Sequence, residues 1–126
     1  MKELTKAEQQ VMHHIWELKK SFLKEIVEAF PEPRPAYTTI STVIRVLVKK
    51  GFVGYNTYGK VHEYFAKISR KAYFRTHVST MIDNHFEGSV VSFASFFTGD
   101  DALELGELEE IKLMIDQKIE NLKGDQ

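Results

Sequence analysis

The sequence predicts a mainly α chain with one small β-hairpin, on three observations. Apolar residues recur at helical spacing over most of its length. Its three prolines all fall within residues 31–35. One stretch, residues 52–65, changes to the aromatic and β-branched pattern of strands. Two short helices, a rigid turn, a third amphipathic helix and then a hairpin make the order of a winged helix-turn-helix. The remainder is helical again, so the expected architecture is a winged helix-turn-helix followed by a C-terminal helical dimerisation segment, with domains at 1–68 and 69–126.

The first helix is expected from about Lys6 to Leu18. Thr5 and Glu8 have the capping-box spacing, in which each side chain accepts the other residue's backbone N–H, and Val11, Met12, Ile15, Trp16 and Leu18 supply the apolar face. Trp16 reads as core, packed beneath the third helix. Residues 19–22 form a short junction with room for one extended pair. Leu23, Ile26, Val27 and Phe30 then make a second short helix, which Pro31, Pro33 and Pro35 stop.

The third helix, Thr38 to Lys50, has two contrasting faces. Ile40, Val43, Ile44 and Leu47 gather on a stripe that faces a core. Thr38, Ser41, Thr42, Arg45 and Lys49 occupy the other side, and these hydroxyls and cations are of the kind that reach base edges and phosphates. Thr38 is placed to cap the first turn, and Gly51 to take the left-handed position after the last. Residues 52–56 and 61–65 then read as strands joined by Thr57-Tyr58-Gly59-Lys60, whose tip would carry Tyr58 and Lys60 to the sugar-phosphate backbone. Within this set Arg45 is the first choice for a base edge. Thr38, Thr39, Ser41 and Thr42 divide base and phosphate contacts, and Lys49, Tyr58 and Lys60 hold phosphates. The expected partner is double-stranded DNA.

Charge distribution agrees with that division. The net charge of -1 hides 11 Lys and Arg against 7 Asp and Glu in residues 1–69, and 6 against 11 in residues 70–126, so the front half is the one suited to a polyanion. A composition of 43% hydrophobic and 28% charged residues is that of a soluble domain. No apolar run approaches a membrane span and the first residues lack a signal-peptide core, so a cytoplasmic location without direct membrane association is expected. The absence of cysteine excludes disulfides, thiolate chemistry and Cys-based metal sites.

In the tail, Ser69 can cap a helix carrying Tyr73, Phe74, Val78, Met81 and Ile82, and Gly88 and Gly99 bracket a short apolar segment. Leu108, Ile111, Ile115, Ile119 and Leu122 mark a last helix. Three helices of this size cannot bury Val90, Val91, Phe93, Phe96 and Phe97 together with Leu108, Ile111, Ile115 and Ile119. These residues are therefore the expected dimer interface, and a two-fold homodimer suits an inverted-repeat operator.

The histidines suggest no chemistry of their own. His13 and His14 are adjacent, His62 lies in a strand, and His77 and His85 are two turns apart without a motif; no metal, cofactor or catalytic set is expected, and the chain does not read as an enzyme.

Over nearly its whole length the chain resembles the penicillinase repressor family of winged-helix transcriptional regulators. LTKAEQQVMHHIWELKK, TTISTVIRVLVKKGFV, the Tyr58-to-Phe65 end of the hairpin, and VVSFASFF carry the likeness. The resemblance implies a homodimeric repressor held on a promoter operator and inactivated by cleavage in its tail, in a pathway that begins with a membrane-embedded zinc metalloprotease sensor. The family's Asn-Phe scissile pair would fall on Ser92-Phe93, where serine departs from the pattern. Copper-responsive relatives bind metal through tail cysteines, which this chain lacks. Two alternatives differ in class: a winged-helix protein-interaction module, and a DNA-binding regulator that answers to a small ligand or metal through the tail.

Overall fold

In the computed structural model, which describes residues 3–125, the capping box at Thr5 forms as its spacing requires. The Thr5 hydroxyl accepts the Glu8 N–H at 3.2 Å, and Glu8 Oε1 accepts the Thr5 N–H at 2.8 Å. Helix α1 (Lys6–Leu18) ends at Lys19, whose positive φ of 67° turns the chain into strand β1 (Lys20–Phe22). Helix α2 (Leu23–Ala29) follows at once, with the Glu25 carboxylate accepting the Phe22 N–H at 2.9 Å. It stops at Phe30, which is extended and leads into the proline turn.

Helix α3 (Tyr37–Lys50) begins one residue before the expected start at Thr38. Ala36 is the N-cap, so Thr38 lies inside the first turn and does not cap it. Pro35 brings the chain to an extended Ala36, and nothing beyond that point delays the helix. The far end follows the sequence: Gly51 has a φ of 87°, its N–H donates to the Val48 carbonyl at 3.1 Å, and the Phe52 N–H reaches Leu47 at 3.0 Å, the paired bonds of a Schellman stop.

Strands β2 (Val53–Tyr58) and β3 (Val61–Ala66) form the hairpin, and β1 adds to its other side in the order β1-β3-β2. The expected hairpin is thus part of a three-stranded antiparallel sheet, with Ser21 opposite Tyr64 and Tyr55 opposite Tyr64 on the other edge. β2 also runs further than its turn residues imply. Tyr58 pairs with Val61, leaving Gly59 and Lys60 as a two-residue turn, with Gly59 at a φ of 63° where the primed turns take glycine. At Gly54 the Phe65 ring lies so close that an added Cβ would come within 2.8 Å of it.

The core of this unit is assembled from Val11, Met12 and Ile15 of α1, Ile26 of α2, Ile40, Ile44 and Leu47 of α3, and Phe52 and Val53 at the sheet. Tyr73 of α4 (Arg70–His85) joins it, and its hydroxyl accepts the Leu4 N–H at 3.2 Å. Ser69 caps α4 by accepting the Ala72 N–H at 3.0 Å. Trp16, expected beneath α3, is only partly buried and packs against this core from its edge, toward α4. Its indole N–H donates to the Ile68 carbonyl at 2.9 Å, and its ring meets Tyr73 and Phe74 at the start of α4. One position along a helix is a turn of about 100°, so the face that sends Ile15 inward sends Trp16 to the flank. A partly buried ion pair, Lys50 Nζ to Glu8 Oε2 at 2.8 Å, ties the end of α3 to the start of α1. Burial pushes the Glu8 carboxyl upward, but the Lys50 ammonium and the Thr5 donors outweigh it and hold the group below its ordinary value.

The chain divides into one compact unit ending at Val78 and another from Ser79 onward, with the boundary inside α4. The second contains α5 (Val90–Thr98), capped by Ser89 accepting the Ser92 N–H at 3.0 Å, and α6 (Leu105–Gly124). Neither α5 nor α6 has a buried residue. Among the described residues no helix is long and apolar enough to cross a membrane.

Candidate nucleic-acid interface

The outward face of α3 and one face of the hairpin meet in a cleft of about 320 Å³, lined by Ser41, Arg45 and Val48 from the helix and Tyr55, His62 and Tyr64 from the strands. Strand alternation explains the second set. Tyr55 and Thr57 share a face of β2, and their cross-strand partners Tyr64 and His62 share that face of β3. Thr57 Oγ1 lies 3.0 Å from His62 Nδ1, and the Tyr55 and His62 rings are 4.2 Å apart, so the hairpin presents a braced aromatic wall to the helix. Burial raises the Tyr64 hydroxyl above the ordinary phenol value, with Tyr55 and Tyr37 adding to the shift and Arg45 opposing it. Tyr64 therefore stays a neutral donor and acceptor beside the Arg45 guanidinium.

The expected DNA-contact residues divide between this cleft and its surroundings. Ser41 and Arg45 line it. Thr38 and Thr39 are exposed in the first turn of α3, where backbone N–H groups lack a side-chain cap and the helix dipole favours an anion. Thr42 is exposed, and its hydroxyl donates to the Thr38 carbonyl at 2.9 Å, so in this rotamer its lone pairs rather than its proton are on offer. Lys49 is exposed one turn beyond Arg45, whereas Lys50 is turned to Glu8. Lys60 is exposed in the hairpin turn. Tyr58 is exposed but lies on the opposite sheet face from Tyr55, with its ring 6.4 Å from Phe22, so it stands apart from the cleft.

Tyr55, His62 and Tyr64 join Ser41 and Arg45 in this cleft, beyond the contact set that the sequence predicts. Their alternation was present in the sequence, but the register that sets Tyr55 against Tyr64 depends on where the turn falls, and the turn is shorter than its composition suggests.

In the tail, Val90, Val91, Phe96, Phe97, Ile115 and Ile119 are exposed in the single chain, while Phe93, Leu108 and Ile111 are half-buried. Phe93 stacks on Phe97 and meets Phe86 edge-on. Ser92 is exposed in the first turn of α5. Among the described residues no three His, Asp or Glu side chains are grouped to hold a metal ion.

Comparison with known proteins agrees with this geometry. The chain is similar to the methicillin resistance regulatory protein MecI of Mammaliicoccus sciuri, at 26% identity over 117 residues, covering 92% of this chain and 95% of the relative. The MecI proteins of Staphylococcus aureus (strain N315) and Staphylococcus epidermidis match with the same identity and coverage. The family model described as penicillinase repressor matches residues 4–117, from the residue before the α1 capping box into α6, and the chain belongs to the penicillinase repressor family.

Proposed function

We propose that the protein is a transcriptional repressor that binds an inverted-repeat operator as a homodimer, with α3 in the major groove of each half-site and the hairpin alongside it. The observation that carries this reading is the cleft that joins the outward face of α3 to the hairpin, in a chain of a repressor family. Arg45 is the base-reading cation, because its planar fork suits the paired acceptors of guanine. Thr42, with its proton engaged, is suited to accept from a base amino group. Thr38, Thr39 and Ser41 place hydroxyls or backbone N–H groups toward phosphate, and Lys49, Lys60 and Tyr58 extend the contact along the backbone.

The homodimer is formed by the uncovered apolar side chains of α5 and α6, including Val91, Phe96 and Ile115. Cleavage at Ser92-Phe93, in a pathway that starts from a membrane-embedded metalloprotease sensor, would release the operator by cutting α5 in its first turn. Proteases take extended substrates, so this route requires α5 to open locally. Its nine residues and lack of buried side chains keep that opening inexpensive. Loss of the dimer would then remove the advantage of holding two half-sites at once.

The test is footprinting of the full chain on DNA upstream of its own gene, at low and high salt. Two protected half-sites related by a dyad, released together as salt rises, are expected. Absence of protection there and on random genomic DNA would reject the repressor reading.

A further inference from the structure

A second cleft, of about 630 Å³, opens in the first unit between α1, the proline turn and the start of α4. That volume lies in the range of small-molecule sites. Its walls are mostly apolar, made chiefly by the flat rings of Trp16, Phe30 and Phe74 and by Pro31, Pro33 and Pro35, with Gln9 and Gln10 among the polar lining. The His14 ring continues this wall at 4.4 Å from Phe30, and burial together with His13 lowers its pKa, which keeps it neutral near pH 7.

The formally charged residues on the lining are Lys6 and Arg70, both cationic. Arg70 is held in place: its guanidinium carbon lies 5.6 Å from the centre of the Trp16 ring, and Nη2 contacts Glu17 at 2.8 Å and His13 at 3.4 Å. Both contacts use the same nitrogen. Arginine carries five N–H donors, so an edge of the fork can take a second carboxylate without release of Glu17.

We infer that this cleft binds a small aromatic carboxylate, with its ring against the prolines and aromatic side chains and its carboxylate on Arg70 and Lys6. Flat rings select a flat apolar body, and two cations without an acidic residue on the lining select a single negative charge. The inference goes beyond the operator reading and does not depend on it, because binding is measured without DNA.

Trp16 is the sole tryptophan and lies on the lining, so its fluorescence in the full-length protein reports on the cleft directly. The probes are phenylacetate, the neutral phenylacetamide and the cationic phenethylamine, with calorimetric titration as the second readout. Phenylacetate should give a saturable change, with the amide and the amine at least about tenfold weaker. Arg70→Gln should weaken phenylacetate by about tenfold, and Lys6→Gln, at an exposed helix start, should weaken it by a smaller factor. No saturable response, including the case in which a second copy of the chain fills the cleft, would overturn the inference. Equal binding of all three probes would also do so, as would wild-type affinity in both variants.

Discussion

Leu47 of α3 and Ile115 of α6 each lie on the apolar stripe of a helix, yet Leu47 is fully buried while Ile115 is 53% exposed. The contrast extends to the two units that contain them. In the first, α1, α2, α3 and the sheet close on a shared core, and the polar groups at their ends find caps or ion pairs within the same unit. In the second, α5 and α6 are well formed and capped but bury nothing completely. Helix formation and core formation are thus separable in this chain. A side chain can be in its helix and still lack its environment, and in the proposed homodimer the tail is half of a core whose other half is a second copy.

The largest expected effect tests that reading. Phe96→Glu should abolish the dimer in sedimentation and lower operator affinity by about 10²- to 10⁴-fold, while leaving the unfolding of the first unit unchanged. A wild-type chain that is monomeric at all concentrations, or a variant with undiminished affinity, would break the comparison. Next in size is Leu47→Ala, which should cost about 2–5 kcal/mol in urea unfolding at any protein concentration. Ile115→Ala sharpens the contrast, because any cost it has should depend on protein concentration; a concentration-independent loss as large as that of Leu47→Ala would mean the tail has a core of its own.

Glu8→Ala comes third, at about 2–4 kcal/mol, since it leaves Lys50 without its partner and removes half of the capping box. The pH dependence has a definite sign. The folded carboxyl titrates below its ordinary value of 4.5, so its stabilisation is complete above that value and lost as pH falls through the lower folded pKa. The urea midpoint of the wild type should therefore drop more steeply in acid than that of Glu8→Gln; parallel profiles would remove the ion pair from the account. Smallest is Arg45→Ala, which should cost about 1–3 kcal/mol of operator binding and relax preference at one position in each half-site. Unchanged sequence preference would reassign the base contact. Lys60→Ala should weaken all sequences alike and reduce the salt slope by about 1.

The order of the elements could be read from periodicity and caps, because Thr5, Glu8, Ser69 and Gly51 act on neighbours within a few residues. What could not be read depends on partners far away. Lys20-Ser21-Phe22 has no alternation long enough to announce a strand, and it becomes one only because β3 arrives beside it from more than forty positions later. Trp16 and Ile15 are both apolar and adjacent, so composition alone does not say which faces α3. Thr38 has the better capping side chain, but the proline turn delivers Ala36 to that place. For the reading surface, Ser41 and Arg45 follow from the helical wheel. Tyr55, His62 and Tyr64 needed the strand register, and Tyr58 ends β2 instead of entering the turn because Gly59 marks a turn without giving its length.

The pairing of β1 with β3 has a consequence for how this fold can vary. Three backbone partners, from Lys20 with Phe65 to Phe22 with Glu63, clasp the chain on either side of α2, the proline turn, α3 and β2. Everything that presents α3 to the outside is a loop tied off at its base. The entropy of closing such a loop grows slowly, by about 0.6 kcal/mol for each doubling of its length. Residues can therefore be added in the turn before α3, or exchanged along its outer face, without reopening the clasp. For the proposed repressor, a new operator preference would then arise inside the loop while the pairing of β1 with β3 stays unchanged.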